Sequence, residues 1–299
     1  MSRRLLTLLL SALLVLLVTF LFHRQHEAPI SGKPLPILQE GTSILSWNLQ
    51  WFPGNKQKSD AEGEREHISE VASKLIEADA DILCLQEVKG HLAINRLLEK
   101  LPGYQMQVAS DFRGPQELAI LSKKGAMTAF AEEFTKAEFT PPRGFVHAAF
   151  DYDGKRLLVY SVHFKSNFGG IGMNIPKREE AARQLLKHVK DSTKLHLVEG
   201  AESVSVVLCG DFNTSLLTET FQEEKTGRII LDSGFEWGFR GLPESESITW
   251  LSDGRYPDVT FDHFFVQGGN GVIVGRSVVL PTERRVSDHR PVLMRLRVN

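Results

Sequence analysis

Val204-Ser205-Val206-Val207-Leu208-Cys209-Gly210-Asp211-Phe212-Asn213 sets an apolar, Val-rich run directly ahead of an acid and an amide. A run of that length and β-branched content reads as a buried strand. The pattern recurs. Asp81-Ile82-Leu83-Cys84-Leu85 runs into Gln86-Glu87, Ser43 to Asn48 closes on Ser46-Trp47-Asn48, and Ser287-Asp288-His289 precedes the apolar run from Pro291. The ends of packed strands are rigid places from which to aim polar side chains.

Working outward, further strands are expected at Ser43–Asn48, Gln105–Ala109, Leu118–Ser122, Phe145–Phe150, Leu157–Val162, Phe261–Val266, Val272–Leu280 and Pro291–Arg297. Asp153-Gly154 reads as a hairpin turn. Helices are fewer. Glu64 to Ala78 sets Ile68, Val71, Leu75 and Ile76 on one face; His91 to Leu101 stops at Pro102-Gly103; Pro176 to Val189 carries Ala182, Leu185, Leu186 and Val189 on one side. Many strands with few helices predict an α/β fold of two stacked sheets with helices outside. A chain of 299 residues, 42% hydrophobic, can bury one large core or two modest ones.

The N-terminus is different in kind. Leu5 to Phe22 is about 18 residues long, almost wholly Leu, Val, Ala and Phe, and follows Arg3-Arg4, so it approaches the length of a membrane span. No Ala-x-Ala-like site follows Phe22-His23-Arg24, which favours an uncleaved signal anchor over a cleaved signal peptide for residues 1–24. The positive residues before the span favour an N-terminus in the cytoplasm, against Arg24 and the flanking histidines on the far side, so the rest of the chain is expected outside, membrane-anchored or exported. Residues 25–42 carry three prolines and no periodicity and read as a linker. A domain then spans 43–299.

Cys84 and Cys209 both lie within apolar strand runs and read as buried thiols without a disulfide. Net charge is −2, and setting aside Arg3, Arg4 and Arg24 leaves 32 Lys+Arg against 37 Asp+Glu, or −5. That disfavours broad electrostatic binding of nucleic acid, although a local basic rim can still hold phosphate.

In their order, Ser46-Trp47-Asn48, Leu85-Gln86-Glu87-Val88, Val162-His163-Phe164-Lys165-Ser166, Gly210-Asp211-Phe212-Asn213, Phe261-Asp262-His263 and Ser287-Asp288-His289-Arg290-Pro291 resemble the blocks of the endonuclease/exonuclease/phosphatase (deoxyribonuclease I-like) superfamily. The resemblance covers Ser43 to Asn299. It implies a four-layered α/β sandwich, two packed, mostly antiparallel sheets flanked by helices, and a metal-dependent phosphoesterase.

A phosphodiester resists attack because its oxygens are already anionic, so cleavage calls for a hard cation and a base. Glu87 is the expected metal ligand, with Asn48 supplying a neutral oxygen, a set that suits Mg²⁺ or Mn²⁺. His289 would act on the attacking water, with Asp262 holding its other ring nitrogen. Asp211 is the rival base, and Asn213, on the same side of an extended segment, would donate to a phosphate oxygen. His163 ends its strand where it would bond a phosphate oxygen or protonate the leaving group. The resemblance further implies Asp288 as a second metal or phosphate-facing carboxylate, and a glutamate orienting His163, for which Glu117 is the candidate.

Arg143, Lys165, Asn167 and Arg178 are candidate phosphate grips. The Gly-rich segment Asn167 to Asn174 reads as a substrate loop, and Trp250 as a stacking surface or a core residue. The expected activity is a monomeric phosphodiesterase acting on nucleic acid. The alternatives are a phospholipid or inositol-phosphate phosphoesterase and, from another class, a binding module that has lost catalysis. All of Asn48, Glu87, His163, Asp211, Asn213 and His289 are present, which speaks against the last. The leader predicts that intact chain pellets with membranes and that external protease digests the domain. Soluble exported protein beginning near residue 25 would discard the anchor.

Overall fold

Period-2 alternation along the first strand, β1 (Thr42–Phe52), explains how the layers stack. Leu45, Trp47 and Leu49 pack against Ile68, Val71 and Leu75 of helix α1 (Ala61–Ala78) and Ile94 and Leu97 of α2 (His91–Leu98). Ile44 points the other way, into a second core with Ile82 and Cys84 of β2 (Ile82–Val88) and Ile120 of β4 (Glu117–Ser122). Both faces of this sheet are therefore buried, which is why its strands read as nearly unbroken apolar runs.

The computed structural model describes residue 30 and residues 32–298; the leader expected at 1–24 lies outside the described residues. No helix among the described residues is long and apolar enough to cross a membrane. One sheet has the order β11-β13-β1-β2-β4-β3, using β3 (Gln105–Ala109), β11 (Val272–Val274) and β13 (Val292–Val298), with β12 (Val278–Val279) beside β13. The second runs β5-β6-β7-β8-β10-β9: Thr128–Glu133, Gly144–Tyr152, Lys155–His163, Ser203–Asp211, Asp262–Gln267 and Glu236–Trp237. Each sheet contains a parallel pair, β1 with β2 and β7 with β8, and is otherwise antiparallel. Helix α3 (Ile171–Val198) covers the second sheet through Ala182, Leu185 and Val189, and contacts α4 (Thr226–Asp232). The expected α/β sandwich of two sheets flanked by helices is the observed fold.

Between the sheets the core is not wholly apolar. Gln86 donates from Nε2 to Ser161 Oγ of the opposite sheet at 2.9 Å and to Ser46 Oγ at 3.3 Å. Cys84 and Cys209 meet here as free thiols, and burial pushes the Cys84 thiol well up.

Several boundaries differ from expectation. The expected strand Val272–Leu280 is split into β11 and β12, because Gly275 and Arg276 turn aside, Arg276 N–H donating to Pro36 O. Helix α2 stops at Leu98. Helix α3 starts five residues before Pro176 and runs on to Val198, since no breaker intervenes before Gly200, whose φ is 92°. The exposed edge strand β5 carried no clear alternation and was not expected. Residues 32–41 of the expected linker are irregular, yet Leu35 is buried in the main core and Pro36 is hydrogen-bonded to the domain.

Gly210 of β8 stands opposite Val162 of β7. Its φ is +133°, and an added Cβ would come within 2.1 Å of Val162 O. Gly210→Ala is expected to cost at least about 1–3 kcal/mol of stability through strain alone. An unchanged denaturation midpoint would show that the pairing relaxes freely.

Candidate active site

Register brings the site together. His163 of β7 stands opposite Asp211 of β8, and Asp211 opposite Asp262 of β10, so three functional residues form one row across the end of the second sheet. From the first sheet come Asn48 of β1, Glu87 of β2 and, just ahead of β13, His289. Asn48 Nδ2 spans the two sheets, donating to Asp211 Oδ2 at 3.0 Å and to Glu87 Oε1 at 3.3 Å.

Glu87 has φ 59°, an uncommon conformation for its residue type, at a register shift between Leu85 and Val88. The bulge turns the carboxylate into the cleft, where Trp51 N–H donates to Oε2 at 3.1 Å. His163 Nε2 lies 3.7 Å from Glu87 Oε1 and 3.6 Å from Asp211 Oδ2. Asp262 Oδ2 bonds His289 Nδ1 at 2.7 Å, leaving His289 Nε2 3.7 Å from Asp211 Oδ2.

The electrostatics sort these groups. Burial raises the Asp211 carboxyl to about 7, with Asp262 adding to the effect and His289 opposing it. Burial alone would depress His289, but Asp262 and Asp211 outweigh it and hold the imidazole well above its ordinary value, hence cationic at neutral pH. His163 is pushed well down, first by burial and then by Arg143, so its ring is neutral.

These donors fit a divalent cation. Among the described residues no Lys or Arg nitrogen forms an ion pair with Glu87 or Asp211; their ion-pair partners are histidines. Asp211, Asp262 and His289 also offer three ligand atoms within 4.8 Å of one another. There, however, Nδ1 of His289 and Oδ2 of Asp262 are already hydrogen-bonded to each other. That trio is arranged to hold and pass protons, and the half-buried Glu87 is the better place for a hard ion.

Other expected roles do not match the geometry. Glu117 does not touch His163; its carboxylate accepts from Ser110 Oγ and from Phe112 N at 2.9 Å, closing a turn and leaving His163 Nδ1 without a protein partner. Arg178 is fully buried in a forked pair with Glu224 at 2.7 and 2.6 Å, so it braces α3 and does not grip substrate. Asn167 is engaged at both amide atoms, by Arg178 and by Asn213 O. Lys165 Nζ donates to Ser166 and Phe168 O in its own loop. That Gly-rich segment is half helix: after Gly169 and Gly170 at φ 90° and 110°, α3 begins.

Asn48 also departs from its expected role. Gln50 N–H donates to its Oδ1 at 3.0 Å, so the amide turns its nitrogen, not its oxygen, to the carboxylates. Asn213 Nδ2 donates to Phe164 O at 3.3 Å, while its backbone N–H caps Asp211 Oδ1 at 2.9 Å. Asp288 accepts from Trp250 Nε1 at 3.2 Å, so Trp250 braces an acid beside the site and also packs on Phe261. Arg143 stays beside the carboxylates, held by Gln116 Oε1 at 2.7 Å and His163 O at 3.3 Å.

Sequence reasoning missed the supports. Thr249 Oγ1 accepts from Phe261 N and Asp262 N, Ser287 Oγ bonds Asn48 O at 2.7 Å, and Trp47 Nε1 bonds His289 O at 2.9 Å. Ser287 and Trp47 stood inside recognised blocks and offered a signal; Thr249 offered none.

The model of the Endonuclease/Exonuclease/phosphatase family matches residues 45–289, the span that holds every residue of this cleft. The chain belongs to that family. No curated protein matches it. Among solved structures, Danio rerio TDP2 complexed with a single-strand DNA product is similar with a TM-score of 0.63 and 17% identity, over 87% of this chain and 100% of that one. The human nocturnin catalytic domain with bound sulfate gives 0.63 and 16%, over 89% and 99%. Bacteroides thetaiotaomicron mannosyl-6-phosphatase gives 0.58 and 17%, over 86% and 100%. At these identities the likeness is one of endonuclease/exonuclease/phosphatase fold.

Because Arg178 is structural, Arg178→Met should lower stability by about 3–5 kcal/mol, the usual result of stranding a buried partner charge. KM of the folded fraction should be unchanged. A raised KM with an unchanged melting temperature would restore Arg178 as a substrate grip.

Proposed function

We propose that the chain is a divalent-metal-dependent phosphodiesterase acting on nucleic acid. The observation that carries this reading is the convergence of Glu87, Asp211 and the Asp262–His289 pair from both sheets on one cleft. Mg²⁺ or Mn²⁺, held by Glu87 with Asp288 as a further carboxylate, would neutralise a phosphate oxygen and make phosphorus more electrophilic.

The chain's own residues divide the remaining tasks. Asp211, raised to about 7, is tuned to take a proton from the attacking water. Cationic His289, fixed by Asp262, sits beside the negative charge that grows on the phosphoryl oxygens. Neutral His163 donates from Nε2 to a phosphate oxygen, and Arg143 adds positive charge behind it. Water's oxygen bonds to phosphorus as its proton passes to Asp211, the phosphorus–ester oxygen bond breaks, the departing oxygen takes a proton from cationic His289, and a phosphomonoester and an alcohol result. Acid and base are told apart here by environments that push their pKa values in different directions.

The single-strand DNA product in the TDP2 structure supports nucleic acid as the substrate. The mannosyl-6-phosphatase supports a sugar phosphate as the alternative. The leader's composition supports an exported or membrane-held enzyme.

The test is turnover of the purified domain on single- and double-stranded DNA, RNA, phospholipid, inositol phosphate and sugar phosphate, with Mg²⁺ or with chelator. Glu87→Gln should lose metal affinity and most turnover while remaining folded, and undiminished turnover at unchanged Mg²⁺ demand would sink its assignment as ligand. His289→Ala and Asp262→Ala should each lower kcat roughly a hundredfold or more. The double variant should be scarcely worse than His289→Ala, because Asp262 acts through the imidazole. Fully multiplicative losses would show the two acting independently.

A further inference from the structure

Directly after catalytic His289, Arg290 turns into a separate cavity. This cavity, of about 420 Å³, is lined by Arg276, Arg290, Glu246, Thr282 and the apolar side chains of Ile248 and Leu280, among others. Its volume falls in the range of small-molecule sites and is much larger than a single bare ion needs.

The polar lining is unbalanced toward donors. Arg276 Nε, Arg290 Nε and Thr282 Oγ1 are each buried at the atom and have no protein partner. Arg290 forms no ion pair among the described residues; its Nη1 donates to Ile248 O at a long 3.5 Å. Arg276 has one weak partner, the exposed Glu246 carboxylate at 3.9 Å from Nη1. Two guanidinium groups thus share one cavity with a single carboxylate. Buried donors without acceptors are costly, and guanidinium N–H groups are shaped to meet the oxygens of phosphate or carboxylate.

We propose that this cavity is a second anion site that takes a phosphate-bearing small molecule, its oxyanion between Arg276 and Arg290 and its body against Ile248 and Leu280. The site is built into the same backbone as the catalytic centre. Arg290 N–H donates to Thr249 O at 2.7 Å, Leu251 N–H donates to Asp288 O at 2.7 Å, and Trp250 is bridged to His289. The proposal does not depend on the substrate of the catalytic cleft, because binding at this site is read without turnover.

Two measurements test it on the full chain in the presence of chelator. In the first, crystals are soaked in selenate and the anomalous peaks located. A peak between Arg276 and Arg290 is expected; peaks confined to the catalytic cleft, or none, would overturn the proposal. The second is calorimetry with phenylphosphonate and methylphosphonate, neither of which carries a hydrolysable ester. Phenylphosphonate should bind the more tightly, Arg276→Gln should weaken it at least tenfold, and Glu246→Gln, which removes the competing carboxylate, should tighten it. Equal affinity in the parent and Arg276→Gln would show that the cavity is only hydrated. A melting curve of ligand-free Arg276→Gln separates lost binding from lost fold.

Discussion

Asp211 is almost fully buried, and a carboxylate in that position is costly unless other groups surround it with donors and opposite charge. The rest of the cleft is organised around meeting that demand. Asn48 reaches it from the other sheet, Asn213 N–H caps it from its own loop, and the rings of His163 and His289 face it on two sides. Because the partners come from β1, β7, the loop after β8 and the segment before β13, satisfying one acid requires both sheets to be stacked in register.

The same demand explains the supporting bonds. Trp47 holds the His289 carbonyl and Ser287 holds the Asn48 carbonyl, so the first and last strand ends are tied to each other as well as to the acid. Thr249 fixes the backbone of Asp262, and Asp262 fixes the imidazole. Asn48, Asp262 and His289 are thereby each fixed by a hydrogen bond at the backbone, which is what a preorganised electrostatic site requires. Packing alone would not do this. Dispersion contacts are non-directional, whereas hydrogen bonds to backbone groups set the angle at which a side chain is presented.

Where sequence reading succeeded and where it failed follows the range of the interactions involved. Asn48, Glu87, His163 and Asp211 were legible because each closes an apolar strand run, and His289 because it directly precedes one, and a strand end has few places to point. Arg178 and Glu117 were misread because their partners, Glu224 and Ser110, carry no local mark that would name them. Arg178 is charged and lies in a polar stretch, which suits a surface grip as well as a buried brace. Asn167 and Lys165 were expected to grip phosphate, but their donors are used up in shaping their own loop.

From the sequence alone came two-faced apolar strands, a sandwich to bury them, and the residues at their ends, because alternation and strand length are local properties of the backbone. Tertiary structure alone decided which acids stay unpaired by Lys or Arg, which way the Asn48 amide turns, and that Arg276 and Arg290 share a cavity. Those outcomes depend on distances between residues far apart in the chain. Burial then turns such distances into pKa shifts and hydrogen-bond demands that no local pattern encodes.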